Sequence, residues 1–365
     1  MSRGPQFGNV FHVNLRRIAE ATGHSQMTVS RALRDRPDVA VETRKQILGV
    51  AEKLGYRPNL LVQGVKTGRS GNIALLISPS GDFGAGMVRG AHDELVCHQY
   101  LPLLHWKWVD AAKGTADAEL EMIHRVLDRR VEGVILFPQD DSVPDLYFRE
   151  VWQRGVPLVT VDRHLPRTRA DFVGTDDQAG ARMAAEHLLA LGHRCVAHLA
   201  GKRKYGTYAD RRSGFEGAIT KAKGYCVTVE IGDPEDALRV AERLLRASQR
   251  PTAVFLAADH YALGVYHAAA RLGLRIPDDL SVVGFADLSL ASCLTPPLTT
   301  VRQDPYGIGR EAARIIIERC SGQLTGKEPV QLRLTPELIV RGSTAKASDQ
   351  PNDTPRSARR TRRGT

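Results

Sequence analysis

The chain has 365 residues, 42% hydrophobic and 25% charged, enough for two or three compact units with cores of their own. No run of about 18 apolar residues occurs, which argues against a helical membrane span, and Met1–Val13 lacks the apolar stretch of a secretory signal; a cytoplasmic, nucleoid-associated protein is expected. The net charge of +10 is localised: residues 1–69 hold 12 Lys/Arg against 5 Asp/Glu, residues 346–365 hold 6 against 2, and residues 70–345 hold 33 against 34. Basic ends on a neutral body are the footprint of a nucleic-acid partner, although a merely basic soluble protein would look the same. Cys97, Cys195, Cys226, Cys293 and Cys320 are scattered without a CxxC pair, so free thiols are expected and neither a metal nor a cofactor is implied.

In chain order, Asn14 can cap a first helix carrying Leu15, Ile18 and Ala19, an i, i+3, i+4 stripe that Gly23 ends. Ser25 can cap a second helix, Gln26–Leu33, with Val29 and Leu33 inward. A third helix spans roughly Val41–Leu54, its apolar rhythm being Ile47, Val50, Ala51 and Leu54; Gly55 stops it, and Arg57-Pro58-Asn59 breaks the chain. Asn59 could cap a short segment to Lys66, and Thr67–Gly71 reads as linker. Asn72–Ser78, Gly133–Phe137, Pro157–Val161, Cys195–Leu199, Ala253–Leu256 and Leu280–Gly284 are continuous apolar runs of buried parallel strands. Helical patterns lie between them, as in Ala179–Leu191, Asp236–Ala247 and Ala262–Leu272. Such alternation predicts an α/β body, and about ten strands exceed one comfortable sheet, so two lobes are expected. Residues 346–365 are polar and Arg-rich and read as a disordered tail.

Two short helices joined by a Gly-containing turn in a basic segment form the helix-turn-helix pattern, whose second helix enters the major groove. With Val29 and Leu33 inward, Gln26, Met27, Ser30 and Arg31 face out. Gln suits adenine, Arg suits guanine, and Met27 can touch a thymine methyl. Asn14, Ser25, Thr28 and Ser30 are short polar groups suited to phosphate, and Arg44 and Lys45 add charge toward the backbone.

The run Asn14–Leu33 (NLRRIAEATGHSQMTVSRAL), with Thr43–Ile47 and Leu54–Asn59, resembles the LacI/GalR family of transcription regulators. So do Val161–Arg163, Glu186–His193, Arg211–Phe215, Val282–Asp287, Leu294–Gln303 and Pro336–Arg341, up to residue 345. The resemblance implies Gln26, Met27 and Arg31 as base readers, and Asn59–Lys66 as a hinge helix whose wedge, Val65, presses into the minor groove. It implies a body similar to periplasmic sugar-binding proteins, with three crossovers and a ligand cleft. The expected division is a head over 1–58, hinge and linker over 59–70, and a body over 71–345. Its N-lobe would take 71–162 and 303–330, and its C-lobe 174–301 and 331–345. Ligands sit at carboxyl ends of strands, which nominates Phe83, Asp162, Asp259 and Asp287; each Asp could equally be a helix cap or a hinge ion pair. Arg211 matches the family's ligand-contacting Arg and can fork onto hydroxyls or a carboxylate.

Several positions depart from the family pattern. Val65 is a shorter wedge than Leu, Gly64 weakens the hinge helix, and Ala40 replaces a Ser cap; the hinge should be largely unfolded away from DNA. Ala258 and Ala286 replace Asn and Asp that bind sugar hydroxyls, and Gly84 stands where an aromatic is common. A larger or less hydroxylated effector follows: an oligosaccharide, a sugar acid or a nucleoside. The mechanism implied is a homodimeric repressor on a pseudo-palindromic double-stranded operator, with affinity set by a small-molecule effector. An activator, or a solute-binding protein without a DNA role, are the alternatives. No GxSxG, Walker A or HExxH motif occurs, Gly81–Gly86 lacks GxGxxG spacing, and His92, Cys97 and His98 make no metal set of known spacing; no enzyme and no metal are expected.

Overall fold

In the computed structural model the described residues are 14–57, 69–105, 115–138, 144–165, 170–202, 206–232 and 235–348. The chain divides into two units, residues 1–70 and 71–365. Asn59, Gly64 and Val65, the expected hinge, and residues 349–365 of the expected tail lie outside the described residues.

The described residues of the first unit form three helices: α1 (Leu15–Thr22), α2 (Gln26–Ala32) and α3 (Val41–Lys53). Asn14 caps α1 by accepting from the Arg17 N–H at 3.1 Å, and Gly23 ends it at φ 71°. Ser25 Oγ caps α2 through the Thr28 N–H at 3.1 Å. Ala40 offers α3 no side-chain bond. Ile18, Ala19, Val29, Ala32, Val39, Ile47 and Ala51 form the core, flanked by Leu15, Leu33, Val50, Leu54 and Tyr56.

The second unit is two doubly wound lobes. Its elements are β1 (Asn72–Leu76), α4 (Gly81–Cys97), β2 (Leu101–Leu104), α5 (Thr115–Leu127), β3 (Gly133–Leu136), α6 (Pro144–Gln153), β4 (Leu158–Val161), β5 (Asp171–Thr175), α7 (Asp177–Ala190), β6 (Cys195–Ala200), α8 (Gly206–Lys221), β7 (Tyr225–Glu230), α9 (Asp236–Leu245), β8 (Ala253–Leu256), a 3₁₀ turn (Asp259–Tyr261), α10 (Ala262–Arg271), β9 (Ser281–Ala286), α11 (Ser289–Cys293), β10 (Thr299–Arg302), α12 (Pro305–Ser321), β11 (Gln331–Leu334) and β12 (Glu337–Ile339). The N-lobe sheet has the order β11-β5-β4-β3-β1-β2 and the C-lobe sheet β12-β10-β9-β8-β6-β7. Among the described residues every pairing is parallel except β10 with β12. Apolar clusters cover both faces of each sheet, as continuous apolar strands require.

The lobe boundaries expected from sequence are corrected. β5 pairs with β4 and β11 pairs with β5, so residues 171–175 and 331–334 belong to the N-lobe. The chain therefore crosses at Asp176, at Gln303–Asp304 and at residues 335–336, each crossover lying where a strand ends. The tail starts later than residue 346: the Ala347 N–H donates to the Leu191 carbonyl at 2.8 Å.

Helices α4 and α12 pack backbone to backbone. A Cβ at Gly309 would lie 2.0 Å from the Met87 carbonyl oxygen, and one at Gly90 2.0 Å from that of Tyr306. Gly309→Val should force the helices apart and cost about 1–3 kcal/mol, read as a lowered urea midpoint for the N-lobe, with Gly326→Val, at an open position, as the neutral control.

Candidate nucleic-acid interface and effector cleft

Burial of Val29 and Ala32 fixes which side of α2 faces out. Gln26, Met27 and Arg31 are exposed together there, Met27 at 62%. The other nominated groups are placed unequally. Asn14 and Ser25 are occupied as caps, and Ser25 Oγ also lies 2.9 Å from Thr28 Oγ1. Ser30 Oγ and its carbonyl each receive the Arg34 guanidinium at 3.0 Å. Lys45 is exposed.

Arg44, nominated for the phosphates, has partners within the head. It turns inward, pairing with Asp35 at 2.9 Å and donating to the Arg36 and Val39 carbonyls. Its fork is spent on the α2–α3 loop, where Asp35 holds φ 53°. Sequence reasoning also passed over Asp38, whose carboxylate lies 3.2 Å from the Arg31 guanidinium.

In the second unit the strands of both lobes lead at their carboxyl ends to the crossovers, where a fold of this kind places its inter-lobe cleft. Arg211, on α8, is 5% exposed. Its Nε donates to Asp177 Oδ1 at 2.7 Å, its Nη1 to the Ala257 carbonyl at 2.7 Å and its Nη2 to Gln303 Oε1 at 3.4 Å. The guanidinium carbon lies 3.9 Å from the centroid of the Phe285 ring. Gln303 continues the network to Thr175 Oγ1 at 2.8 Å, so one arginine reaches two of the three crossovers. Burial drives the Asp177 carboxyl up to about 7, against the pull of Arg211 and helped by the neighbouring Asp162 charge. Asp177 was not nominated from sequence.

Asp162 is buried at the crossover approach with φ 62°, and Phe83 is half-buried on the first turn of α4. Asp259 and Asp287, both nominated for the ligand, have partners within their own lobe. Asp259 is fully buried; it accepts from Thr300 Oγ1 at 2.6 Å and from the Leu288 N–H at 2.8 Å, and burial raises its pKa to about 6. Asp287 is clamped between Arg302 and Arg341, both at 2.7 Å. Ala286, just before it, holds φ 123°, a region disfavoured for any residue with a Cβ, so the rim of the cleft stores backbone strain. Across the cleft the Ser289 N–H donates to Asp82 Oδ2 at 2.7 Å, and Arg333 of the N-lobe lies 3.5 Å from Asp210 of the C-lobe. Among the described residues no cluster of His, Cys, Asp or Glu could hold a metal ion, and no helix is long and apolar enough to cross a membrane.

Residues 14–59 match the model of bacterial regulatory proteins of the lacI family, and residues 185–344 match a periplasmic binding protein-like domain. The HTH-type transcriptional regulator MalR of Streptomyces coelicolor is 34% identical over 343 residues, 90% of this chain and 96% of the relative. Among solved structures, the lac repressor dimer bound to operator and the anti-inducer ONPF aligns with a TM-score of 0.80 at 27% identity, covering 91% of this chain and 99% of that one. The transcriptional regulator CelR–cellobiose complex aligns with a TM-score of 0.66 at 27% identity and the same coverage. A basic three-helix head, two crossover-linked lobes and this likeness along nine-tenths of the chain agree: the protein belongs to the LacI family and is a DNA-binding transcription regulator.

Proposed function

We propose that Gln26, Met27 and Arg31 read base edges of an operator half-site, and that two copies of the chain place two heads on a pseudo-palindrome. The observation that carries this reading is the joint exposure of those three side chains on the face of α2 opposite Val29 and Ala32. Lys45, Thr28 and Ser30 supply phosphate contacts, and Asn59 and Val65 the minor-groove hinge. Binding sites selected from a randomised duplex library by the whole protein test it. Arg31→Ala should relax preference at one position per half-site and cost about 1–3 kcal/mol, whereas Lys45→Ala should weaken all sequences alike and lower the salt slope by about one. Selection of no preferred sequence would sink the reading.

We further propose that the cleft binds a saccharide larger than a single hexose and that its closure acts as a repressor's switch. Ala258 and Ala286 offer no polar side chain, so a hexose would leave hydroxyls unpaired at about 1–3 kcal/mol each. The CelR relative is described as a cellobiose complex, a precedent for a disaccharide in this fold. Arg211 contacts the ligand by exchanging one of its internal bonds for a hydroxyl, and Phe83 and Asp162 line the opposite side. A thermal-shift panel checks this: disaccharides should raise the melting temperature more than their component monosaccharides. Stabilisation by free hexoses alone would overturn it.

A further inference from the structure

The head contains one acidic side chain set against its own reading arginine. Asp38 Oδ2 lies 3.2 Å from Arg31 Nη1, with both side chains about half exposed. A carboxylate on a surface that must approach phosphates is costly in itself, because every anion there opposes the dominant attraction. Its position is nevertheless built with care. Arg44 holds the carbonyls of Arg36 and Val39, which bracket Asp38 on either side, and pairs with Asp35. Val39 is itself buried in the head's core. Asp38 thus stands on a clamped loop rather than a free one, and its carboxylate is delivered to Arg31 across seven residues of sequence.

We infer that Asp38 is a positioning residue for base recognition, which fixes the Arg31 fork in one orientation and trades total DNA affinity for discrimination. The inference rests on the reading that Arg31 contacts a base. An arginine free to swing can drop onto a neighbouring phosphate and gain sequence-independent binding; one held by a carboxylate presents its remaining N–H groups as a fixed pair to guanine O6 and N7. The carboxylate also repels the phosphate alternative. The pair contributes little to stability, as an exposed ion pair should, so its effect is to be sought in specificity.

The test uses the full-length protein and four forms: unaltered, Arg31→Ala, Asp38→Ala and the double substitution. Each is titrated against the duplex selected from the randomised library, against that duplex changed at single positions, and against unselected duplex. Arg31→Ala should abolish a preference of about 10- to 100-fold at one base pair per half-site. Asp38→Ala should cut that same preference by about three- to tenfold, with no change at other positions, while binding unselected duplex roughly two- to fivefold more tightly at low salt. In the double substitution, removing Asp38 should have no further effect on discrimination. Asp38→Asn keeps an acceptor without the charge and should restore part of the preference. A preference untouched by Asp38→Ala while Arg31→Ala destroys it would overturn the inference alone. If Arg31→Ala changes no base preference, the reading of Arg31 itself has failed.

Discussion

Replacing Arg211 by alanine should cost about 3–5 kcal/mol of C-lobe stability, because it leaves a buried acid without its partner, to be held protonated or charged alone. Asp177 is 1% exposed and takes the Arg211 Nε–H at 2.7 Å. The same substitution strands the Ala257 carbonyl and frees Gln303, whose other bond reaches Thr175 at the first crossover. Removing both charges together, as Arg211→Met with Asp177→Leu, should recover most of the loss, since a buried pair replaced by packed apolar groups is often neutral. The guanidinium carbon already lies over the Phe285 ring, so a methionine has an apolar surface to occupy. Hydrogen exchange of the β6 and β8 amides reads the local effect, which matters because a chain of several units does not unfold in one step. Restored stability in the pair variant should come without restored response to effector. Equal loss in single and double forms would show that the network stabilises by shape alone and would remove the argument for a coupled hinge.

The head was more legible in the sequence than the body, and the reason is range. Helix caps act over three residues: Asn14, Ser25 and Gly23 stand where local chemistry puts them. The buried central strands announced themselves as unbroken apolar runs. β5 did not, because its five residues include Asp171, Gly174 and Thr175, and only its pairing with β4 and β11 makes it a strand. Missing β5 displaced two crossovers and hid Asp177, the second residue after that strand's end. The edge strands β7 and β11 are half-exposed and interrupted by polar residues, so they carry no continuous apolar signal. In the site, the strand-end rule located Asp259 and Asp287 but says nothing of which way a carboxylate turns. Gly284 was the available sign for Asp259: a Cβ there would lie 2.1 Å from Asp259 Oδ1, and that neighbour lies in the 3₁₀ turn after the adjacent strand β8, beyond the reach of pattern. The Asp38–Arg31 pair depended on a loop shape that Arg44 imposes from another helix.

His198 should make the protein acid-sensitive in a way a single substitution removes. It lies in the middle of β6, fully buried, stacked on Phe255 at 5.0 Å and beside Phe215 at 5.5 Å. Neither ring nitrogen has a hydrogen-bond partner among the described residues. Burial, with the Arg212 and Arg211 charges adding, pushes its pKa down to about 3. A histidine depressed in this way is neutral in the fold but takes a proton in the unfolded chain once the pH drops below about 6.5. The unfolded state therefore binds more protons through the window between about 6.5 and 3, and stability falls as the pH falls through it. At pH 5 the loss is about 2 kcal/mol relative to pH 7.5, from roughly 1.5 units at 1.36 kcal/mol each. His198→Leu keeps an apolar group of similar size against the two phenylalanines and cannot titrate. Whatever it does at pH 7.5, it should be about 2 kcal/mol better off than the unaltered chain on moving to pH 5, seen as a smaller acid shift in urea midpoint and in β6 amide protection. Asp177 and Asp259, whose pKa values are raised, titrate with the opposite sign in the same range but are present in both forms and cancel from the comparison. Parallel decline of the two proteins between pH 7.5 and 5 would mean that His198 takes its proton inside the fold, and the unpartnered ring would then need a polar neighbour that the aromatic cluster around it does not provide.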